Sequence, residues 1–143
     1  MLYGQLALIA ATLFSGAAVY ITLAEQPARL TLEPAALLAE WQPAYAKGLR
    51  MQSSLAVVGF LFGLLTWWQT TDWRWLLGAS ILLLNWPYTL ISMLPVNKQL
   101  MATTPSTAGT ESRALVQQWG RLHAVRTMLG LLATAVFLWA SLR

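Results

Sequence analysis

His123 and Arg126 lie one helical turn apart in an apolar segment near the end of the chain, Trp119-Gly120-Arg121-Leu122-His123-Ala124-Val125-Arg126. Trp119, His123, Arg126 and Gly130 have the i, i+4, i+7, i+11 spacing of one helix face. Ionisable groups are costly in lipid, so they usually face a cavity or a partner and mark a functional site. Histidine is a general base near neutral pH, and arginine can stabilise an oxyanion. This face is the first candidate for a reaction centre.

The composition indicates the elements that carry this face. Of the 143 residues, 57% are hydrophobic and 10% are charged, whereas soluble domains are about 25% charged. Four segments are long enough to cross a bilayer, which takes about 20 helical residues. The sequence therefore predicts an all-α integral membrane four-helix bundle, a single domain over residues 1–143. We expect its helices at about 2–24, 44–69, 73–94 and 111–142, with a short helical segment from Pro34 to about Trp41 in the first long loop.

Charge and residue types exclude several functions. The chain has no cysteine, which removes disulfides, thiol nucleophiles and dithiol redox relays. It has one histidine, whereas catalytic zinc takes three protein ligands. The sequence predicts no cofactor, and it leaves open a metal or a haem with a single histidine ligand. The net charge of +4 is better explained by membrane topology than by nucleic-acid binding.

The positive charges are unevenly distributed between the two membrane faces. The two long connections and adjoining helix ends carry Arg29, Lys47, Arg50, Lys98, Arg113 and Arg121. The short connection and the termini carry only Arg74 and Arg143. Because positive loops stay cytoplasmic, we expect a protein of the bacterial inner membrane with cytoplasmic long loops and both termini outside.

Topology brings the remaining polar residues to one face of the membrane. The end of the first helix, the start of the second, the end of the third and the start of the fourth meet there. The candidate catalytic residues are His123, Arg126, Asn85 and Glu25. The candidate substrate-binding residues are Trp119, Trp86, Tyr88, Asn97, Arg29 and Arg50. Pro87 should bend the third helix, and Gly130 should leave space beneath Arg126, so these side chains are predicted to line a funnel.

Other motifs indicate packing and anchoring. Gly59 and Gly63 have the small-xxx-small spacing of close helix contacts, which suits packing within the chain and also an interface of a homo-oligomer. Four tryptophans surround the tight turn between the second and third helices and are expected to form an aromatic belt at the water interface. They are Trp67, Trp68, Trp73 and Trp75.

Nearly the whole chain resembles the anthrone oxygenase-like family of small four-helix membrane proteins. The resemblance rests on three motifs, of which the segment from Trp119 to Arg126 is the most specific. The other two are Ser15-Gly16-Ala17-Ala18-Val19-Tyr20 leading to Glu25-Gln26-Pro27-Ala28-Arg29, and Asn85-Trp86-Pro87-Tyr88 with Met93-Leu94-Pro95-Val96-Asn97. It implies a cofactor-independent monooxygenase that uses O2 to convert an anthrone, or another polyketide-type aromatic compound, into a quinone.

The residues are compatible with that chemistry. His123 is the candidate base that removes a proton from the acidic methylene of an anthrone, and Arg126 would hold the resulting oxyanion. Asn85 and Asn97 would donate further hydrogen bonds, and Glu25 would orient the base. Flat apolar walls for the rings would come from Trp86, Tyr88 and Trp119.

Two other functions stay open from the sequence. The same funnel suits a non-catalytic protein that binds a lipid, a quinone or another hydrophobic aromatic molecule. A transporter or channel subunit is disfavoured because the polar groups lie on one face only. Each residue also has a structural explanation: Arg126 could snorkel to headgroups, Arg29 and Arg50 could be topology signals, and Asn85 could bridge helices.

Overall fold

Four long helices account for nearly the whole molecule. The computed structural model describes residues 1–142, so Arg143, counted above among the terminal charges, lies outside the described residues. The helices are α1 (Leu2–Arg29), α2 (Pro34–Thr70), α3 (Trp73–Ala102) and α4 (Thr110–Ser141). Each is long and apolar enough to cross a membrane. The described part of the chain contains no strand, and the prediction of an all-α four-helix bundle is confirmed.

The helices form a square in which helices consecutive in the chain pack against each other and α1 packs against α4. The connections are short: residues 30–33, 71–72 and 103–109. In the tightest one, Thr71 adopts the left-handed region with φ 56°, and the Asp72 carboxylate accepts a hydrogen bond from the Arg74 backbone N–H at 3.1 Å. This side chain caps α3, because it satisfies a backbone donor in the first turn of the helix.

The first long loop is mostly helical. The segment from Pro34 to Trp41 is a helix, as predicted, but it continues without a break into α2, with Pro43 inside the helix. A proline inside a helix costs about 3 kcal/mol. Burial compensates for this cost, because Leu37, Leu38 and Trp41 pack into a cluster at the site end of the bundle, and each large apolar side chain contributes roughly 1.5–3 kcal/mol. The other members of the cluster are Met93, Val96, Leu100, Val116 and Trp119.

Two π-helical turns interrupt the regular helices beside the site. They span Ile21–Glu25 in α1 and Thr89–Met93 in α3. The helix α3 is also interrupted at Leu84, three residues before Pro87, because a proline cannot donate the backbone hydrogen bond of a regular helix. Such irregular turns often lie at functional sites. Here residues of both turns line cavities: Ile21 and Glu25 line one, and Thr89 and Leu90 line the other.

The opposite half of the bundle is a close-packed core of small and aromatic residues. Gly59 lies against Leu82 and Ala10, and Gly63 lies against Ala79 and Phe137. Both glycines are therefore buried between helices of one chain, which confirms packing within the chain, and homo-oligomerisation stays a prediction. The space that a side chain at Gly130 would take is occupied by Phe14 and Ser15. Gly130 therefore leaves no empty space beneath Arg126, contrary to the prediction.

One of the four tryptophans expected in the aromatic belt belongs to this core. Trp75 is 1% exposed, and its ring lies 5.6 Å from that of Phe137. Gly4 permits this position, because a Cβ there would lie 2.7 Å from the Trp75 ring. Trp68 and Trp73 are exposed on the outer surface, as an interfacial belt requires.

The glycine contacts predict a stability difference between two alanine substitutions. In Gly63→Ala the new Cβ would lie 2.9 Å from both Ala79 and Phe137, so we expect a loss of about 1–3 kcal/mol from overpacking. In Gly16→Ala the new Cβ meets no atom within 4 Å, and we expect no loss. Thermal unfolding of both variants in the same detergent measures the difference. Equal melting temperatures would contradict this account of the core.

Candidate functional site

Two neighbouring cavities lie at the end of the bundle predicted to hold the site. The outer chamber, of about 20 Å³, is lined by residues of α1, α2 and α4. The inner chamber, of about 150 Å³, is lined mainly by residues of α2 and α3. Tyr45, Leu49 and Arg126 line both chambers. Arg126 therefore belongs to the wall of each cavity.

The inner chamber is almost entirely apolar and opens between α2 and α3. Trp86 and Leu90 stand at its edge and are 42% and 56% exposed on the outer surface of the bundle. The Trp86 indole N–H donates to the Ser53 carbonyl at 3.3 Å and so links the two helices across this opening. An apolar cavity of about 150 Å³ holds one benzene ring in the reference case. The chamber has the size and lining for one aromatic ring.

His123 lines the outer chamber, and one of its two ring nitrogens has no hydrogen-bond partner among the described residues. The residue is 1% exposed, and its ring stacks on Trp119 with centroids 4.9 Å apart. Nδ1 lies 3.3 Å from the Thr22 hydroxyl. Nε2 is buried and has no hydrogen-bond partner among the described residues. A buried polar atom without a partner needs an explanation, and a ligand in the chamber would supply one.

Arg126 is a buried cation without a counter-ion. It is 4% exposed, makes no ion pair within residues 1–142, and its Nε has no hydrogen-bond partner there. The guanidinium lies over the Phe14 ring at 5.7 Å, with Tyr45 and Tyr88 nearby. Rings attract a cation through their quadrupole but do not neutralise it. The arrangement therefore fits an anion that arrives with a ligand.

The acidic residues of this face are paired with a different arginine. Arg29 Nε lies 2.9 Å from a Glu40 carboxylate oxygen, and Arg29 also pairs with Glu25. The Arg29 guanidinium stacks over Trp119 at 5.5 Å, and Trp119 in turn stacks on His123. Glu25, predicted to orient the base, thus holds Arg29, whereas the side chain that contacts His123 Nδ1 is Thr22.

The other predicted residues take different positions around the chambers. Asn85 lines the inner chamber; its amide donates to the Leu82 carbonyl at 2.9 Å, which leaves Oδ1 without a partner among residues 1–142. Tyr88 donates to the Leu122 carbonyl at 2.7 Å and ties α3 to α4. Asn97 is buried beside Tyr45 and lines neither chamber. Arg50 is exposed and lies away from both chambers.

Several residues of the site were not identified from the sequence. Phe14, Thr22 and Tyr45 each read as ordinary members of an apolar or interfacial helix. Of the residues missed, only Thr127 could have been found from the sequence, because it lies four residues after His123 and so on the same helix face. Gln26 also anchors the site: its amide donates to the Val116 carbonyl at 2.9 Å across the space left by Gly120, which fixes the end of α1 against α4.

Over residues 1–142, no group of three or more His, Asp or Glu side chains lies close enough together to hold a metal ion.

Comparison with known proteins identifies the family of this chain. The family model described as anthrone oxygenase matches residues 41–136, a range that includes most of the site. An anthrone oxygenase of Claviceps purpurea (strain 20.1) is 29% identical over 115 residues, which cover 69% of this chain and 64% of that protein. The chain thus spans less than two thirds of the length of this relative. No solved structure matches. The extent of the family match shows that this four-helix chain belongs to the anthrone oxygenase family.

Proposed function

We propose that this protein is a membrane-embedded, cofactor-independent oxygenase that oxidises an anthrone or a related polyketide-type aromatic compound with O2. One observation carries the proposal: His123, whose Nε2 has no hydrogen-bond partner among the described residues, and Arg126, which makes no ion pair there, line the same cavity. A base and an anion-holding group side by side are what deprotonation of an acidic carbon requires. The family membership supports the same reaction class.

The first step is removal of a proton from the methylene carbon of the substrate by His123 Nε2. The electron pair of the broken C–H bond moves into the rings and gives the enolate, whose oxygen carries the negative charge. Arg126 stabilises that oxygen. Because its charge is not neutralised by a carboxylate, the guanidinium interacts more strongly with the anion than with the neutral substrate, and this difference lowers the barrier.

Oxygen then reacts with the electron-rich enolate. The enolate gives one electron to O2, and the resulting radical pair combines to form a C–O bond at the former methylene carbon. The peroxide takes back the proton held by His123. Loss of the second C–H proton together with cleavage of the O–O bond yields a carbonyl group and one molecule of water, so anthrone and O2 become anthraquinone and water.

The inner chamber is the proposed seat for the rings. It has room for one ring, and the substrate oxygen is proposed to bind Arg126, with Asn85 as a second polar residue of the lining. The remaining rings extend toward the opening between α2 and α3, where Trp86 offers a flat surface. A substrate of this kind dissolves in the membrane, so membrane lipid and a hydrophobic aromatic molecule are the proposed partners, with no role for nucleic acid.

Loss of either His123 or Arg126 should strongly lower turnover with anthrone. We expect His123→Ala to lower kcat by about 10²–10⁴-fold, the usual contribution of a general base. We expect Arg126→Gln to lower it by about 10²–10³-fold, as for loss of an oxyanion donor. Oxygen uptake and anthraquinone formation by purified protein measure both effects.

Arg121→Gln is the matched control, because Arg121 lies on the same helix but is exposed. It should keep the wild-type rate. Unchanged turnover in folded His123→Ala protein would contradict the proposal. Absence of turnover in the wild type, with a lipid or quinone retained after purification, would favour the non-catalytic binding protein instead.

Substitutions of two neighbouring serines test whether the substrate rings bind in the inner chamber. Ser53 lines the inner chamber, whereas Ser54 is exposed. Ser53→Leu replaces the hydroxyl by a branched alkyl group that has two more heavy atoms, so we expect KM to rise by about tenfold, equivalent to roughly 1.4 kcal/mol. Ser54→Leu should leave KM unchanged. Equal KM values in the two variants would place the rings elsewhere.

We further propose that the protein lies in the bacterial inner membrane with the connections 30–33 and 103–109 in the cytoplasm. The charge bias described above supports this orientation. The chain has no cysteine, so single cysteines can report it. In intact cells, Ser106→Cys should be protected from a membrane-impermeant maleimide and Gln69→Cys should react. The opposite labelling pattern would reverse the orientation.

A further inference from the structure

A chain of hydrogen bonds leads away from the buried side of the His123 ring. Nδ1 lies 3.3 Å from Thr22 Oγ1, and Thr22 Oγ1 lies 2.8 Å from Thr127 Oγ1. Thr127 Oγ1 lies 3.2 Å from the Ala18 carbonyl oxygen. The chain joins α1 to α4, and it ends on a backbone carbonyl.

One assignment of the hydrogens satisfies every contact in this chain. A carbonyl oxygen only accepts, so the contact between Thr127 and the Ala18 carbonyl is a hydrogen bond only when the Thr127 hydroxyl donates to it. The Thr22 hydroxyl then donates to Thr127, and Nδ1 donates to the Thr22 oxygen, which gives three hydrogen bonds. In the reverse assignment Thr127 donates to Thr22 and Thr22 donates to Nδ1, so only two form and the Ala18 carbonyl loses its side-chain donor.

We propose that Thr22 and Thr127 are positioning residues that hold His123 in the neutral tautomer protonated on Nδ1. Nε2 then carries its lone pair into the outer chamber, in the orientation that a general base needs. The role of that lone pair in catalysis rests on the proposed function, whereas the tautomer follows from the hydrogen bonds alone.

The surroundings disfavour the opposite tautomer. Protonation of Nε2 would bury an N–H that has no acceptor among the described residues, and an unsatisfied buried donor is costly. It would also require both hydroxyls to turn around, so that Thr127 donates to Thr22 and gives up its bond to the Ala18 carbonyl. The π-helical turn at Ile21–Glu25 contributes Thr22 to this arrangement.

The chain contains a single histidine, so the tautomer can be measured directly. Protein labelled with ¹⁵N-histidine and embedded in lipid bilayers gives side-chain nitrogen signals from His123 alone. The two nitrogens are distinguished by their couplings to the ring protons, and the protonated one by its chemical shift. We expect the proton on Nδ1 in the resting wild type at neutral pH. A proton on Nε2 would overturn the proposal.

Variants of the two threonines test whether the hydroxyl chain is the cause. In Thr127→Val the Thr22 hydroxyl loses its acceptor and is free to donate to Nδ1, so we expect the proton to move to Nε2. Thr127→Ser should restore the wild-type pattern. In Thr22→Val the ring loses its partner, and we expect both tautomers. An unchanged spectrum in Thr127→Val and Thr22→Val would contradict the proposal.

Thr134→Val is the matched control. Thr134 makes a similar bond between the same two helices, at 2.8 Å to the Ser15 hydroxyl, but has no hydrogen bond to the ring. Its removal should leave the tautomer unchanged. A change as large as that in Thr127→Val would mean that general loosening of α1 from α4 moves the proton, and the proposal would fall.

Turnover separates this inference from the proposed function. If both are correct, Thr127→Val lowers kcat with anthrone by about tenfold or more, since a histidine in the wrong tautomer is a poor base, while KM stays unchanged and Thr127→Ser recovers the rate. If the wild type and the variants show the expected tautomers but the wild type does not turn over anthrone, the positioning role is supported and the oxygenase proposal is contradicted.

Discussion

The buried guanidinium of Arg126 is the constraint around which the site end of the bundle is organised. An arginine deep in a membrane helix costs about 2.5–3.5 kcal/mol on insertion scales, and here no carboxylate of the described chain offsets that cost. Phe14 and the neighbouring tyrosines shield the charge from lipid without neutralising it. A buried cation without a counter-ion is suited to stabilise an anion that forms during a reaction, because a permanent counter-ion would compete with that anion.

The arrangement of the acidic residues follows from the same constraint. Glu25 and Glu40 pair with Arg29, and the Arg29 guanidinium and the His123 ring both stack on the Trp119 ring. Neither carboxylate pairs with Arg126. The Trp119 ring contacts a face of the His123 ring, while the Thr22 hydroxyl contacts Nδ1 at its edge.

Hydropathy and topology together predicted the four helices and the face at which His123, Arg126, Asn85 and Trp119 meet. The boundaries were less predictable, because charged and polar residues in 25–48 and 95–118 resemble loops although most of them extend the helices beyond the apolar segments. The contacts between side chains of different helices could not be predicted from the sequence either. Phe14 and Trp75 read as lipid-facing or interfacial residues, since a membrane helix is apolar on both its lipid and its protein side. Only the packing around Gly4 and Gly130 distinguishes the two.

The most direct test of the account is the absorbance spectrum of anthrone bound to the protein in the absence of oxygen. If Arg126 is an unneutralised cation that binds the enolate, anthrone bound to the wild type will show the spectrum of the anion at a pH at which free anthrone is neutral, and Arg126→Gln will not produce it. A neutral spectrum with the wild type, under conditions in which binding is established independently, would contradict the account.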